Sequence, residues 1–323
     1  MVTSLTILTW PDYINPETLQ QFESSFGVAV HLDIVPSAVE LIEQMQADDP
    51  GVDVLVPPDY AVRELKGQGR LAILDHSLLP NLDHLDPHFR TGRSHDPESR
   101  VSLIKDWGTT GFMYRTDKID ASLQSWADFW TLATRYSGHV TVLDSPGEVI
   151  GAAMKLCGYS YNSASPEALA AAREALLFLK SHLLAFETNY KPLLASGDAY
   201  LALGWNGDAA ALVAQGVPIR YVVPGEGSQI WEDDWAVAVD ASNSELAHAF
   251  LNFALSPEVA AQEAGYTRYA TGNRSALGLL DVNMRNDPAT YPPEEVLQKL
   301  EVGMPLDEDS QKRRDELWEE IRP

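Results

Sequence analysis

The first sixty residues alternate strand and helix signals, and few patterns restrict a fold more. Leu5–Thr9 reads as a strand. Asn15-Pro16-Glu17 then opens a helix, with Asn as cap and Pro at the first helical position. Leu19, Phe22 and Phe26 fall at helical spacing, and Gly27 ends the run. Val28–Val35 is a second strand. Ser37-Ala38-Val39-Glu40 is a capping box that opens a helix through Leu41, Ile42 and Met45. Val52–Val56 is a third strand, stopped by Pro57-Pro58. This β-α-β-α-β order implies an α/β class with a parallel sheet. In such sheets ligands bind beyond the carboxyl ends of the strands. Two segments fall at those ends: TWPDYI at 9–14, and PPDYA at Pro57–Ala61.

The theme returns later. His139–Leu143 reads as a strand, Ser145-Pro146-Gly147-Glu148 as a cap, and the helix after it runs to Cys157. Ser165-Pro166 opens a long helix to about Leu184. Ala199–Gly204, Ile219–Val223 and Trp235–Val239 read as strands. Ser244–Ala254, Ser256–Ala264 and a tail from about Asp307 read as helices. The chain has 323 residues, enough for two domains with sizeable cores. No Gly/Ser linker separates two halves, so the domains are expected to exchange the chain more than once.

Composition excludes several functions. The formal charge is −24, which argues against nucleic acid, because phosphate binding needs Lys/Arg patches. The same charge attracts cations, although it also serves solubility. The single cysteine, Cys157, forms no internal disulfide and is expected as a buried structural thiol. The eight histidines make no HExxH pair, so no metal is expected, and no cofactor motif is present. No apolar stretch approaches the roughly 20 residues of a membrane-spanning helix. The start carries no signal-segment pattern, so the chain reads as either a cytosolic protein or a mature form with Met1 added.

Acids and aromatics coincide along the chain, all but Tyr266 at or just after a predicted strand end or in a short loop. They are Trp10, Asp12 and Tyr13; Asp59 and Tyr60; Glu148; Trp205 and Asp208; Trp231, Asp233, Asp234 and Trp235; and Tyr266. A carboxylate accepts strongly from an ammonium. An aromatic face adds about 0.5–2 kcal/mol of cation–π attraction and packs on methylenes. A chain of CH₂ groups ending in ammoniums needs both. Each residue also has an ordinary use. Glu148 closes a capping box with Ser145. Asp208 complements a helix dipole. Asp12 suits a turn, and Asp59 suits a cap for Tyr60–Lys66. Trp10, Trp205, Trp231 and Trp235 suit a core. Asp233 is hardest to explain that way, because Trp231-Glu232-Asp233-Asp234 precedes an apolar strand and caps no helix.

These residues sit in stretches that resemble the spermidine/putrescine-binding family, the substrate-binding component of polyamine ABC transporters. The stretches are LTWPDYINPETLQQFE (Leu8–Glu23), VDVLVPPDYAV (Val52–Val62), WGTTGFMY (Trp107–Tyr114), SWADFW (Ser125–Trp130), LDSPGEV (Leu143–Val149), GWNGDA (Gly204–Ala209), IWEDDWAVA (Ile230–Ala238) and NFALSPEVAAQEAGYTRYATGN (Asn252–Asn273). They run in family order through most of the chain. The resemblance implies a two-lobed, type II periplasmic-binding-protein-like fold, each lobe a mostly parallel sheet flanked by helices. The lobes, expected at 1–108 with 232–277 and at 109–231 with 278–323, would close on ligand by hinge bending. It further implies that Trp10, Asp12 and Tyr13 line one lobe and that Tyr60 stacks beside them. Glu148 and Asp208 would bind ammoniums from the other lobe. Trp205 and Trp231 would flank the alkyl chain, Asp233 would bind the central or terminal ammonium, and Tyr266 would close the cleft. The implied partners are a polyamine and the permease subunits of an ABC transporter. The implied state is a monomer, periplasmic or anchored at the outer face of the cytoplasmic membrane.

The chain departs from the family pattern in places. Pro58 replaces a small hydroxyl residue, and Ser145 stands where some spermidine-preferring members place an acid. Lys105-Asp106 precedes Trp107 where Pro-Tyr is usual; Asp106 would add an acceptor or Lys105 would repel an ammonium, while the ordinary reading is a solvated pair. Two other functions use the same residues. One is a receptor for a guanidino, quaternary or amino-acid-derived amine. The other is a glycoside hydrolase with Asp12 and Asp233 as its carboxylate pair.

Overall fold

The computed structural model describes residues 3–322. Its strands, in chain order, are β1 Ser4–Thr9, β2 Ala29–Ile34, β3 Val54–Leu55, β4 Ser102–Arg115, β5 Val140–Val142, β6 Leu183–Phe186, β7 Leu201–Trp205, β8 Ile219–Val222, β9 Gln229–Val237, β10 Ala270–Thr271 and β11 Glu301–Val302. Two compact units divide the chain. The first is the chain up to Trp107 with Glu232–Asn286; the second is Gly108–Trp231 with the chain from Asp287. Two of the three divisions fall inside strands, β4 and β9, and the third follows the short helix Val282–Arg285.

In the first unit β1 pairs in parallel with β2 and β3, as the alternation of its first sixty residues predicts. β3 then pairs antiparallel with β9, and β10 antiparallel with β4, so the sheet is mixed. The helix Pro16–Phe26 starts where the sequence places it. Asn15 accepts from the Glu17 N–H, and Gly27 ends the helix at φ 67°. The helix Ala38–Met45 is capped by Ser37, which accepts from the Glu40 N–H. Phe22 is fully buried and meets the Phe250 ring edge-on at 5.1 Å. Leu8, Leu41, Leu55, Val62 and Leu65 form a core around β1 and β3. Burying each Leu contributes about 1.5–3 kcal/mol.

In the second unit β5 lies parallel between β6 and β7, while β7 and β8 run antiparallel to β4. The SWADFW stretch is core. Its Ser125 and Asp128 form a capping box, and Trp126, Phe129 and Trp130 are buried. The C-terminal helix Glu308–Ile321 adds Leu317, Trp318 and Ile321 to that core.

Four sequence readings change. The long helix stops at Lys180, and Leu183–Phe186 is strand β6. β9 begins at Gln229, six residues before Trp235, so the WEDDW run lies within a strand. Asp59 is the first residue of the helix Asp59–Gly67, not its cap, which is Pro58. Cys157 is only half-buried, because it is the C-cap that follows the helix Pro146–Leu156.

Candidate functional site

β9 sorts its charges by the two-residue period of a strand. Asp233 and Trp235 face one side, Glu232 and Asp234 the other. On the first side, Tyr13 Oη lies 2.6 Å from Asp106 Oδ1 and 2.6 Å from Asp233 Oδ2. A phenol has one proton to give. Both contacts are hydrogen bonds only if one carboxyl keeps its own proton. Asp106 pairs with the Lys105 ammonium at 2.8 Å. Tyr13 bridges the two carboxyls, and Asp233 is the one that its surroundings press toward the protonated form. Burial, then the Asp106 charge, pushes the Asp233 carboxyl up to about 8. Burial also raises the Tyr13 hydroxyl, which stays a donor.

Lys105 and Asp106 are the residues that sequence reasoning placed wrongly. They are buried rather than solvated, with side chains 1% and 3% exposed. Lys105 Nζ also stands 4.2 Å from the Tyr13 ring centroid. Glu263, from the helix Pro257–Thr267, adds a carboxylate oxygen at 3.7 Å. Its other oxygen accepts from Thr18 Oγ1 at 2.5 Å and the Asn15 N–H at 3.1 Å. An adjacent Lys-Asp pair has the sequence look of surface; only its place in a fourteen-residue strand betrays it.

The rest of TWPDYI spreads around this centre. Trp10 is half-buried against the β1 core. Asp12 is exposed and takes a left-handed φ of 56°, which Asp tolerates better than most residues. Its charge, after burial, raises the Tyr266 hydroxyl, so the two stand near each other. Tyr60 and Tyr266 are 50% and 38% exposed.

The other face of β9 is structural. Arg93 Nη1 donates to both oxygens of Asp234, at 2.6 and 2.7 Å. His95 Nε2 and Ser102 Oγ reach the same carboxylate at 2.9 and 2.6 Å. These donors hold Asp234 down at about 2 against the opposing effect of burial. His95, Glu232 and Asp234 lie close enough to share a metal ion. The Arg93 guanidinium already fills that place, 3.3 Å from His95 Nε2.

In the second unit Glu148 is buried, and two donors reach its Oε1: Thr110 Oγ1 at 2.9 Å and Trp205 Nε1 at 2.5 Å. Burial raises its carboxyl above the usual range. The Ser145 side chain makes no cap hydrogen bond, so the capping-box reading of Glu148 fails. Asp208, in the first turn of the helix Asn206–Ala214, accepts from Tyr190 Oη and Lys191 Nζ, each at 2.8 Å. Tyr190 Oη in turn accepts from the Trp205 N–H at 2.9 Å. It reaches that far because Gly204 has no Cβ, which would stand 2.2 Å from it. Trp231 is buried in the same unit. It lies where a Cβ on Gly108 would stand 2.3 Å from its ring. The predicted residues thus fall in two sets: Trp10, Asp12, Tyr13, Tyr60, Asp233 and Tyr266 in the first unit, and Glu148, Trp205, Asp208 and Trp231 in the second.

Known proteins share this arrangement of elements. The profile of the bacterial extracellular solute-binding proteins matches residues 17–292. A putrescine-binding periplasmic protein of Pseudomonas aeruginosa is 32% identical, over 98% of this chain and 91% of that protein. One of Escherichia coli is 31% identical, over 99% and 91%. The solved spermidine/putrescine ABC transporter substrate-binding protein of Streptococcus pneumoniae superposes with a TM-score of 0.87 at 30% identity, covering 99% of this chain and 98% of that one. The shared fold is that of the periplasmic-binding-protein-like substrate-binding proteins.

Proposed function

We propose that this chain, which belongs to the family of bacterial extracellular solute-binding proteins, binds a linear polyamine and hands it to the permease of an ABC transporter. Members of that family are receptors and not enzymes, which removes the glycoside hydrolase reading. The observation that carries the proposal is Asp233. It is a buried carboxyl that burial and the Asp106 charge push toward its protonated form, and it sits beside an aromatic hydroxyl and a second carboxylate. An arriving ammonium is what lets it ionise. Glu148 in the second unit has the same character: it is buried, and burial raises its carboxyl against the donors Trp205, Thr110 and Ser145. The relatives named above bind putrescine, or spermidine and putrescine, whose terminal ammoniums suit such acids. We assign the action of this protein to the outer side of the cytoplasmic membrane, as a monomer. Among the described residues no helix is long and apolar enough to cross a membrane.

Titration calorimetry with putrescine, cadaverine, spermidine, spermine and agmatine tests the proposal. Binding of at least one linear polyamine at micromolar concentration is expected; silence from all five would refute it.

Binding should also expel a proton. The amine stays charged near neutral pH, and Asp233 must lose its proton to meet it. The groups facing Asp233 are Tyr13 after β1, Lys105 and Asp106 on β4, and Asp59 at the start of its helix. Among them only Lys105 favours the ionised form by charge. Below about 8, affinity should therefore climb with pH, by at most roughly tenfold per unit, and then level off. Calorimetry at pH 6 in two buffers of different ionisation enthalpy should count about one proton released. Equal affinities at pH 6 and 8 with no proton released would mean that Asp233 is already ionised in the empty protein.

A further inference from the structure

Lys105 occupies the setting a polyamine receptor provides for an ammonium. Its Nζ is 2.8 Å from Asp106 Oδ2 and 3.7 Å from Glu263 Oε2. The Tyr13 and Trp235 ring centroids stand 4.2 and 5.4 Å away. Two carboxylates and two aromatic rings surround a cation that the chain itself supplies. The space beside it, about 10 Å³ between Lys105, Glu263, Trp235 and Thr271, holds about one water and no ligand ammonium. The whole lysine is 7% exposed, so its stem cannot swing out into solvent.

The second unit offers a contrast. Lys191 also pairs with an acid of the predicted set, Asp208, but its side chain is 44% exposed. Such an exposed pair is worth about 0–1 kcal/mol and gives way to a ligand. A buried pair gives way only if another cation takes its place.

We infer that Lys105 is a tethered ammonium that sets ligand choice: it occupies Asp106 and Glu263, withdraws those two carboxylates from a ligand, and so favours a diamine over a triamine. This rests on the polyamine reading above and names the substrate class within it. A purely structural role, tying β4 to the helix Pro257–Thr267, predicts lost stability on substitution but no change in the ranking of ligands.

The test is the ratio of putrescine to spermidine affinity, measured by calorimetry. In the unaltered protein putrescine should bind more tightly. Lys105→Met keeps the length of the stem, frees Asp106 and should move the ratio toward spermidine by roughly tenfold or more, as one charge-assisted hydrogen bond would. Lys105→Met combined with Glu263→Gln removes one charge of each sign and should give the same shift. It serves where the single variant does not fold. Spermidine binding the unaltered protein as tightly as putrescine overturns the inference without any variant. An unchanged ratio in a folded variant overturns it too, while leaving a polyamine receptor in place. No binding of either amine by the unaltered protein overturns the polyamine reading, and this inference with it.

Discussion

Asp233→Ala should weaken polyamine binding by about 100-fold or more, because truncating one partner of a buried charge pair costs about 2–5 kcal/mol. The substitution leaves the ligand ammonium with the Tyr13 hydroxyl, because both oxygens of Asp106 are engaged, one by Tyr13 and one by Lys105. Asp233→Asn should do nearly as much harm. It keeps the shape and the donor to Tyr13 but cannot gain a negative charge. The pair of variants separates charge from packing. Thermal unfolding should change little in either, since its surroundings press Asp233 toward the neutral form in the empty protein. Calorimetry that finds Asp233→Ala within threefold of the unaltered protein would remove Asp233 from the site.

Its neighbour should behave in the opposite way. Asp234→Asn leaves Arg93 buried without its bidentate partner, on a side chain fully shielded from solvent. Breaking a buried ion pair from one side costs about 3–5 kcal/mol. For a protein of this size that lowers the midpoint of thermal unfolding by roughly 6–20 °C, at about 2–4 °C per kcal/mol. Polyamine affinity of the folded protein should hold within a few-fold. Because Asp234 is held down at about 2, its contribution persists through neutral and mildly acidic pH and is lost only as the pH falls toward that value. A midpoint within 3 °C of the unaltered protein would show that Glu232 can take over the guanidinium, from its present 3.8 Å.

These two results bear on what the chain discloses to a reader of its letters. Signals made by neighbours in sequence were legible: Asn15 before Pro16, Gly27, and Ser37 with Glu40 mark helix ends that the structure reproduces. The parallel pairing of β1 with β2 and β3 followed from them. Signals made by distant partners were not. Glu148 carries the letters of a capping box, yet two of its donors lie 38 and 57 residues away. WEDDW looks like a loop because three acids in a row leave no apolar face. Its real alternation is between two polar clusters, one around Tyr13 and one around Arg93, and hydrophobic periodicity cannot see that. Lys105-Asp106 looks solvated for a related reason: the carboxylate and the ring that bury Lys105 come from the helix Pro257–Thr267 and from Tyr13, far along the chain. Candidate ligand residues were readable where an acid sat beside an aromatic at a strand end. The raised carboxyl of Asp233 was not, because it depends on burial beside a carboxylate that is 127 positions away, by their numbers.

The pleat of β9 also bears on how such a receptor can change its ligand. Adjacent residues on a strand point apart, so Asp233 and Asp234 share a peptide bond but no surroundings. Substitutions at the two positions should combine almost independently, as for sites without shared partners. Redesign of recognition can thus proceed at Asp233 while the Arg93 cluster stays untouched. The same geometry forbids another kind of change. Deleting or inserting one residue between Gln229 and Glu232 would turn every later side chain of the strand to the opposite face. The recognition acid would then meet Arg93, and the structural acid would meet the ligand. Here it is chain length, more than the identity of any one residue, that this stretch cannot afford to vary.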